Sequence, residues 1–214
     1  MRPIVVTCGP YTAAATNNIR TAGAIAGAGA VTLNGTLVAS GVATLDQQRR
    51  VLFTSSGDDT GITFTITGTN AAGDVISEAL RGGNTTAYSV LDYKTITSIT
   101  SSGASAGTVA IGTNGIAGSP WVRLDEYALP NLSIQAVVSG TINYTIQQSY
   151  DDPNSPTNVV LPSAMTWSQL VAATGSSAVT NVAYQPLFVR VLVNSNTNPA
   201  TVTTTFLQTG IVPQ

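Results

Sequence analysis

Hydrophobicity alternates with a period of two wherever this chain has a readable pattern, and that restricts it to β-structure. Over residues 61–68, Ile62, Phe64 and Ile66 alternate with Thr63, Thr65 and Thr67, which predicts a strand with one apolar and one hydroxyl-bearing face. Residues 141–148 repeat the plan, with Ile142, Tyr144 and Ile146 opposed to Asn143, Thr145 and Gln147. So do residues 201–208, where Val202, Thr204 and Phe206 alternate with Thr203, Thr205 and Leu207. Residues 187–193 are apolar on both sides except at Arg190, the pattern of a central strand covered on both faces. Shorter strands are expected over residues 4–7, 50–54, 74–80, 95–100, 108–111, 121–124 and 132–139. The abundant Thr, Val and Ile agree, because β-branched side chains fit a pleated surface and are stiff in a helix.

Turn chemistry points the same way. Asn34-Gly35 lies between two short apolar runs, the strongest local signal for a two-residue hairpin. Asn70 to Gly73 reads as a longer hairpin loop, and a second Asn-Gly, Asn114-Gly115, falls in a glycine-rich stretch. Residues 163–173 are expected to hold a short helical turn, with Ser163 as its cap and Trp167, Leu170 and Val171 on one face. Many short strands at close spacing imply an all-β fold: an N-terminal extended arm plus two small antiparallel β-sandwich or barrel domains. The composition breaks between Gly112 and Pro120. The expected divisions are an arm with its hairpin at 1–45, a small β-domain at 46–115, and a jelly-roll-like C-terminal sandwich at 116–214. Residues 12–30 are nearly all small and bury little alone, so the arm is expected to lie against another surface.

Charge is scarce. Only 8% of the 214 residues are ionic, eight basic and ten acidic, for a net charge of -2. Lys94 is the one lysine and histidine is absent. The chain therefore lacks the basic stripe that a nucleic-acid partner requires, and histidine cannot serve as base or metal ligand. Mean hydropathy of +0.23 argues for a packed core over disorder. Cys8 has no second cysteine in the chain to pair with and reads as a small buried filler. The apolar stretch at 22–33 is too short to span a bilayer, and no targeting segment is visible. The expectation is synthesis in a cytoplasm with no membrane partner, and release only inside something larger.

Candidate chemistry is thin. Asp58-Asp59 and Asp151-Asp152 sit in turn-like loops whose hard oxygens suit calcium, but neither has the EF-hand spacing. They read as Asx turns, and a two-carboxylate glycosidase requires the pairs to converge in space. Gly23, Gly27 and Gly29 miss the spacing of a phosphate loop. No Gly-x-Ser-x-Gly elbow occurs. The sequons at Asn34, Asn84, Asn131 and Asn143 follow from a chain rich in Asn and Thr. Trp121, Trp167, Tyr150 and Tyr184 are candidates for sugar stacking, with core or subunit-contact roles favoured. Arg49-Arg50 is too short for a nucleic-acid patch and is expected to form salt bridges or to touch a neighbouring subunit. No catalytic residue, metal ligand or cofactor is expected. Arg49, Arg50, Trp121 and Trp167 are the contact candidates.

Free β-proteins guard their sheet edges with lysine, proline or inward-pointing charge. Long Thr/Ser/Val runs with one lysine lack those guards, so the chain is expected to pack permanently against copies of itself. Two blocks carry a resemblance. Residues 49–69 (Arg49-Arg50-Val51 through Gly57-Asp58-Asp59-Thr60-Gly61 to Thr69), then Gly73 to Glu78, Thr95 to Thr100 and Ala106 to Val109, resemble virion structural proteins of tailed bacteriophages. Ser139 to Gln147, Asp151-Asp152-Pro153, and Pro186 with Val189-Arg190-Val191 look like another segment common in such proteins. The resemblance covers roughly residues 45–210 and carries no catalytic motif. It implies a non-enzymatic virion protein, made in a bacterial cytoplasm, whose partners are its own copies and the major capsid protein or other virion proteins. A capsid decoration or reinforcing subunit is the leading expectation. A tail or head–tail collar component and a carbohydrate-binding adhesin for the host surface are the alternatives.

Overall fold

The computed structural model describes residues 3–126, 128–197 and 199–209, and it resolves the alternating sequence into antiparallel strands with no α-helix among those residues. The chain divides into two compact units: Met1–Thr12 with Gly118–Gln214, called the split unit below, and Ala13–Ala117, the inserted unit. Strand β1 (Ile4–Cys8) belongs to the split unit.

The inserted unit contains β2 (Arg20–Ala24), β3 (Gly29–Ala30), β4 (Val38–Ala39), β5 (Val42–Ser55), β6 (Thr63–Thr69), β7 (Val75–Arg81), β8 (Thr86–Tyr88), β9 (Tyr93–Ser101) and β10 (Thr108–Gly118). β7, β6 and β9 pair in that order, and the first part of β5 continues the sheet through Ala43↔Ile96. The second part of β5 pairs instead with β8, at Leu52↔Tyr88, and with β10, at Ile111↔Phe53. One long strand thus changes partners along its length within a continuous sheet. Its apolar residues Val51 and Phe53 are buried with Phe64, Ile66, Ile96, Ile99 and Ile111, and the Phe53 and Phe64 rings stack with centroids 4.9 Å apart. In β6, Phe64 and Ile66 point inward while Thr63 and Thr65 face out, as alternation requires.

The split unit adds β11 (Val122–Arg123), β12 (Leu129–Ser139), β13 (Ile142–Ser149), β14 (Ser168–Thr174), β15 (Ala178–Val182), β16 (Phe188–Asn196) and β17 (Thr201–Thr209). One sheet runs β1-β17-β12-β15. The other runs β14-β13-β16, with β11 also on β16. Leu132, Ile134, Val202 and Phe206 of the first and Ile142, Tyr144, Ile146, Val189 and Val191 of the second are buried, which makes a sandwich core. β16 lies between β13 and β11 and is buried on both faces from Phe188 to Val191, including Arg190.

Three local expectations are corrected. Asn34-Gly35 is not a hairpin turn. The amides of Asn34 and Gly35 donate to the Ile19 carbonyl, and Asn34 Oδ1 accepts from the Thr21 amide and hydroxyl. A Cβ at Gly35 would overlap the Asn18 backbone, so glycine serves close approach here. The two-residue turn is Ser40-Gly41, with φ of 50° and 80°, joining β4 to β5 at Ala39↔Val42; two positive φ values are the type I′ requirement.

Residues 163–173 do not form the expected Ser163-capped helical turn with Trp167, Leu170 and Val171 on one face. A single 3-10 turn, Pro162–Ala164, has Leu161 at its cap position with no side-chain cap bond, and β14 follows, pairing Val171 with Ile146. The sheet satisfies the backbone that a helix would have had to satisfy alone.

The extended arm is not what residues 3–45 form. β1 pairs with β17 (Ile4↔Phe206), and residues 15–31 lie against the inserted unit's own strands. The Ile19 amide donates to Ile111, and Val31 donates to Ile99. Ile19, Ile25 and Val31, the few large apolar side chains in the segment, are all buried and supply the burial that its small residues lack. The Asn70–Gly73 loop, in contrast, joins β6 to β7 as expected, with Asn70 Oδ1 accepting from the Ala72 and Asp74 amides and Gly73 at φ 91°.

Candidate functional site

In the split unit, the side chains with chemical character gather on the β11-β16-β13-β14 sheet. Direct cross-strand pairing puts Arg190 beside Gln147, Gln147 beside Gln169, and Arg123 beside Phe188. Side chains opposite one another share a face. Trp121 precedes β11, and Trp167 precedes β14, and their rings meet with centroids 5.3 Å apart at 55°. The guanidinium carbon of Arg190 sits 4.1 Å from the centre of the Trp167 ring, while its Nε donates to Gln147 Oε1 at 2.9 Å. Buried under a half-buried indole, this cation is stabilised by the ring's π face. Arg123 lies 5.8 Å from the Phe188 ring and 3.7 Å from both Glu126 and Asp152.

The acidic loop at 151–152 tethers this cluster. Asp151 Oδ2 accepts from the Thr166 amide, which places Trp167, and Asp152 Oδ1 accepts from Asn154 in an Asx turn. Asp58 does the same in the inserted unit, accepting from the amide and hydroxyl of Thr60; those two bonds hold its carboxyl below the ordinary value. Asp59 is buried and bonds the Ser55 hydroxyl at 2.6 Å and the Ala106 amide at 2.7 Å. Among the described residues, no group of three or more His, Cys, Asp or Glu is placed to hold a metal ion.

Trp121 and Trp167, distant in sequence, are brought together; Arg49 and Arg50 lie elsewhere, in β5. Arg49 is 1% exposed and its Nη2 bonds Asp46 Oδ2 at 2.7 Å, so it offers no surface to a neighbouring subunit. Arg50 approaches buried Asp92 at 3.8 Å. Tyr150 and Tyr184 are exposed. Gln148 Nε2 donates to the Tyr184 hydroxyl at 3.2 Å, and burial, with Tyr184 adding to it, pushes the Tyr150 phenol up.

Sequence reasoning missed the most perturbed groups, which surround Glu78 in the inserted unit. Glu78 on β7 accepts from the Val90 amide at 2.9 Å and the Leu91 amide at 3.4 Å. Burial pushes its carboxyl up, against the pull of those amides, and nearby Asp92 pushes the same way. Tyr93 is driven far above the ordinary phenol range by burial and then by the Glu78 charge. Ser89 donates to the Leu91 carbonyl and accepts from the Val51 amide. The one available signal was an acid at Glu78, inside the strand pattern Val-Ile-Ser-Glu-Ala-Leu-Arg. Perturbed acids mark functional sites in many enzymes, but here the hydrogen bonds to Glu78 from Val90 and Leu91 are backbone amides, and the geometry is that of a clasp on the β8–β9 connection. No family model matches the chain, and no curated protein matches it.

Proposed function

We propose that this chain is a non-enzymatic structural subunit of a tailed-bacteriophage particle, a capsid decoration or reinforcing protein that acts through contacts between subunits. The observation that carries the reading is where the ionic groups stand. Arg49, Asp59, Glu78, Asp92 and Arg190 are buried, and the strands β1, β12, β15 and β17 contain no Asp, Glu, Lys or Arg at all. A protein selected to stay apart from its copies places charge on its sheets and edges; this one buries several of its few charges and leaves the strands of a whole sheet without any. The likeness of the segments within residues 45–210 to phage virion proteins supplies the setting, with the protein's own copies and the major capsid or other virion proteins as partners.

Quantitative mass spectrometry of purified particles tests the reading. A copy number comparable to that of the major capsid protein is expected. A small fixed number, one ring's worth, moves the protein to the collar or tail, the nearest rival. Its absence from particles overturns the reading. A second reading, a carbohydrate-binding adhesin, draws on the exposed rings of Tyr150 and Tyr184; glycan binding lost in Tyr184→Ala would favour it.

A further inference from the structure

We infer that the outer face of the β1-β17-β12-β15 sheet is a self-association surface, covered face to face by the same sheet of a second copy. The inference names one contact that the structural-subunit reading requires, and it rests on that reading.

Alternation fixes which side chains face out. With Ile134, Ala136, Val202, Thr204 and Phe206 buried, their strand neighbours point away from the core. Register then aligns Val5, Thr205, Gln135 and Val179 in a single row across all four strands. Val137 and Leu207 flank that row on the same face. The exposures of Val5, Val137, Val179 and Leu207 are 58%, 51%, 72% and 39%. The polar members are uncharged, mostly Thr and Ser with the amides of Gln135 and Asn181, and some are already paired within the face, as where the Thr7 and Thr203 hydroxyls bond at 3.1 Å. Covering them leaves few groups without a partner.

The occupant follows from charge. A partner bearing Lys, Arg, Asp or Glu at this contact would lose water around its charge and find no opposite charge here, a costly outcome. A neutral sheet face rich in β-branched side chains meets no such penalty. This sheet is one, and it is always present at the protein's own concentration. Like faces of twisted sheets pack about 30° apart at a separation of about 10 Å. Two-fold symmetry makes the contact self-complementary, and Val and Thr lose little rotamer freedom when covered.

Size sets the strength. With strands about 4.8 Å apart and about 3.4 Å per residue, the four strands present roughly 450 Å² per copy, or roughly 900 Å² in the pair, just under the ~1,000 Å² that marks a specific interface. The association is therefore reversible and concentration-dependent, and it gains strength when many copies are held side by side.

Sedimentation velocity over a wide range of loading concentration tests this with three proteins: the unaltered chain, the double variant Val137→Lys/Val179→Lys, and Val75→Lys, whose site is 77% exposed on β7 of the other unit. The unaltered chain and Val75→Lys are expected to associate alike, with no loss at high salt, because no ion pair holds the contact. The double variant is expected to associate at least about tenfold more weakly, with an unchanged melting curve because both sites are exposed. A strictly monomeric unaltered chain overturns the inference, as does equal association of the double variant. Particle composition separates the two failures. A chain found in particles but monomeric when free overturns this face alone, and a chain absent from particles overturns the structural-subunit reading on which the face depends.

Discussion

The two units use ionic groups in opposite ways. The inserted unit buries several of them and bonds them: Arg49 to Asp46, Asp59 to Ser55 and Ala106, Glu78 to the amides of Val90 and Leu91, and Arg20 to the carbonyls of Val109, Gly23 and Ala24. The split unit carries Arg123, Asp152 and Arg190 on the β11 and β16 side and leaves the strands of a whole four-stranded sheet without any. The difference shows what each use of charge does. Paired inside, a charge specifies one arrangement of loops, at the expense of desolvation. Absent from a sheet face, it removes the repulsion that keeps copies apart.

The comparison is sharpest at Arg49. Arg49→Ala removes the ion pair with Asp46 and opens a cavity in the core, so a loss of about 3 kcal/mol is expected in chemical denaturation; a loss under about 1 kcal/mol would show that the inserted unit does not depend on this ion pair. In the split unit, Trp167→Ala removes a half-buried indole together with its cation contact. The expected loss is about 2 kcal/mol, accompanied by a change in the near-ultraviolet circular dichroism of the coupled Trp121–Trp167 pair. An unchanged spectrum would break the assignment of that cluster as a fixed tie between loop and sheet.

Glu78 gives a pH-dependent effect. Its folded pKa is raised above the ordinary 4.5, chiefly by burial. Above 4.5, then, the folded protein holds the proton longer than the unfolded chain does. Its contribution to stability falls as pH rises from 4.5 through the raised value, and levels off beyond it. Glu78→Gln is expected to remove that slope from a series of melting curves, and a slope that persists would assign it to other carboxyls. The smallest effect is expected at Val75, where lysine should change stability by no more than about 0.5 kcal/mol. A larger loss would mean that this exposed position matters to the inserted unit.

Much of the fold was legible because alternation is a local property. β6, β13 and β17 could be read from Ile62–Phe64–Ile66, Ile142–Tyr144–Ile146 and Val202–Thr204–Phe206, and the covered strand β16 from its continuous apolar run. The errors arose where a local signal has more than one physical use. Asn-Gly signals either a turn or a close backbone approach, and at Asn34-Gly35 the backbone of Asn18 and Ile19 selects the second. Small residues at 12–30 read as unable to order themselves, yet three spaced aliphatics and backbone pairing with β10 and β9 suffice. The Trp121–Trp167–Arg190 cluster was not legible as a cluster, since its members come from three separated segments and only the register of β11, β13, β14 and β16 assembles them. The Glu78 clasp was hidden because the bonds that hold the β8–β9 connection come from the backbone amides of Val90 and Leu91, which leave no trace in residue identity.

The pairing of β1 with β17 has a consequence for birth at the ribosome. Thr7 and its partner Thr203 are separated by 196 positions. At roughly 5–20 residues per second, β1 therefore waits some ~10–40 s for β17 to be made. During that interval residues 13–117 are complete and free to fold, while Ile4–Cys8 remains a bare apolar ribbon. β17 acts as a latch, closing the sheet with β1 only after the intervening positions have been translated.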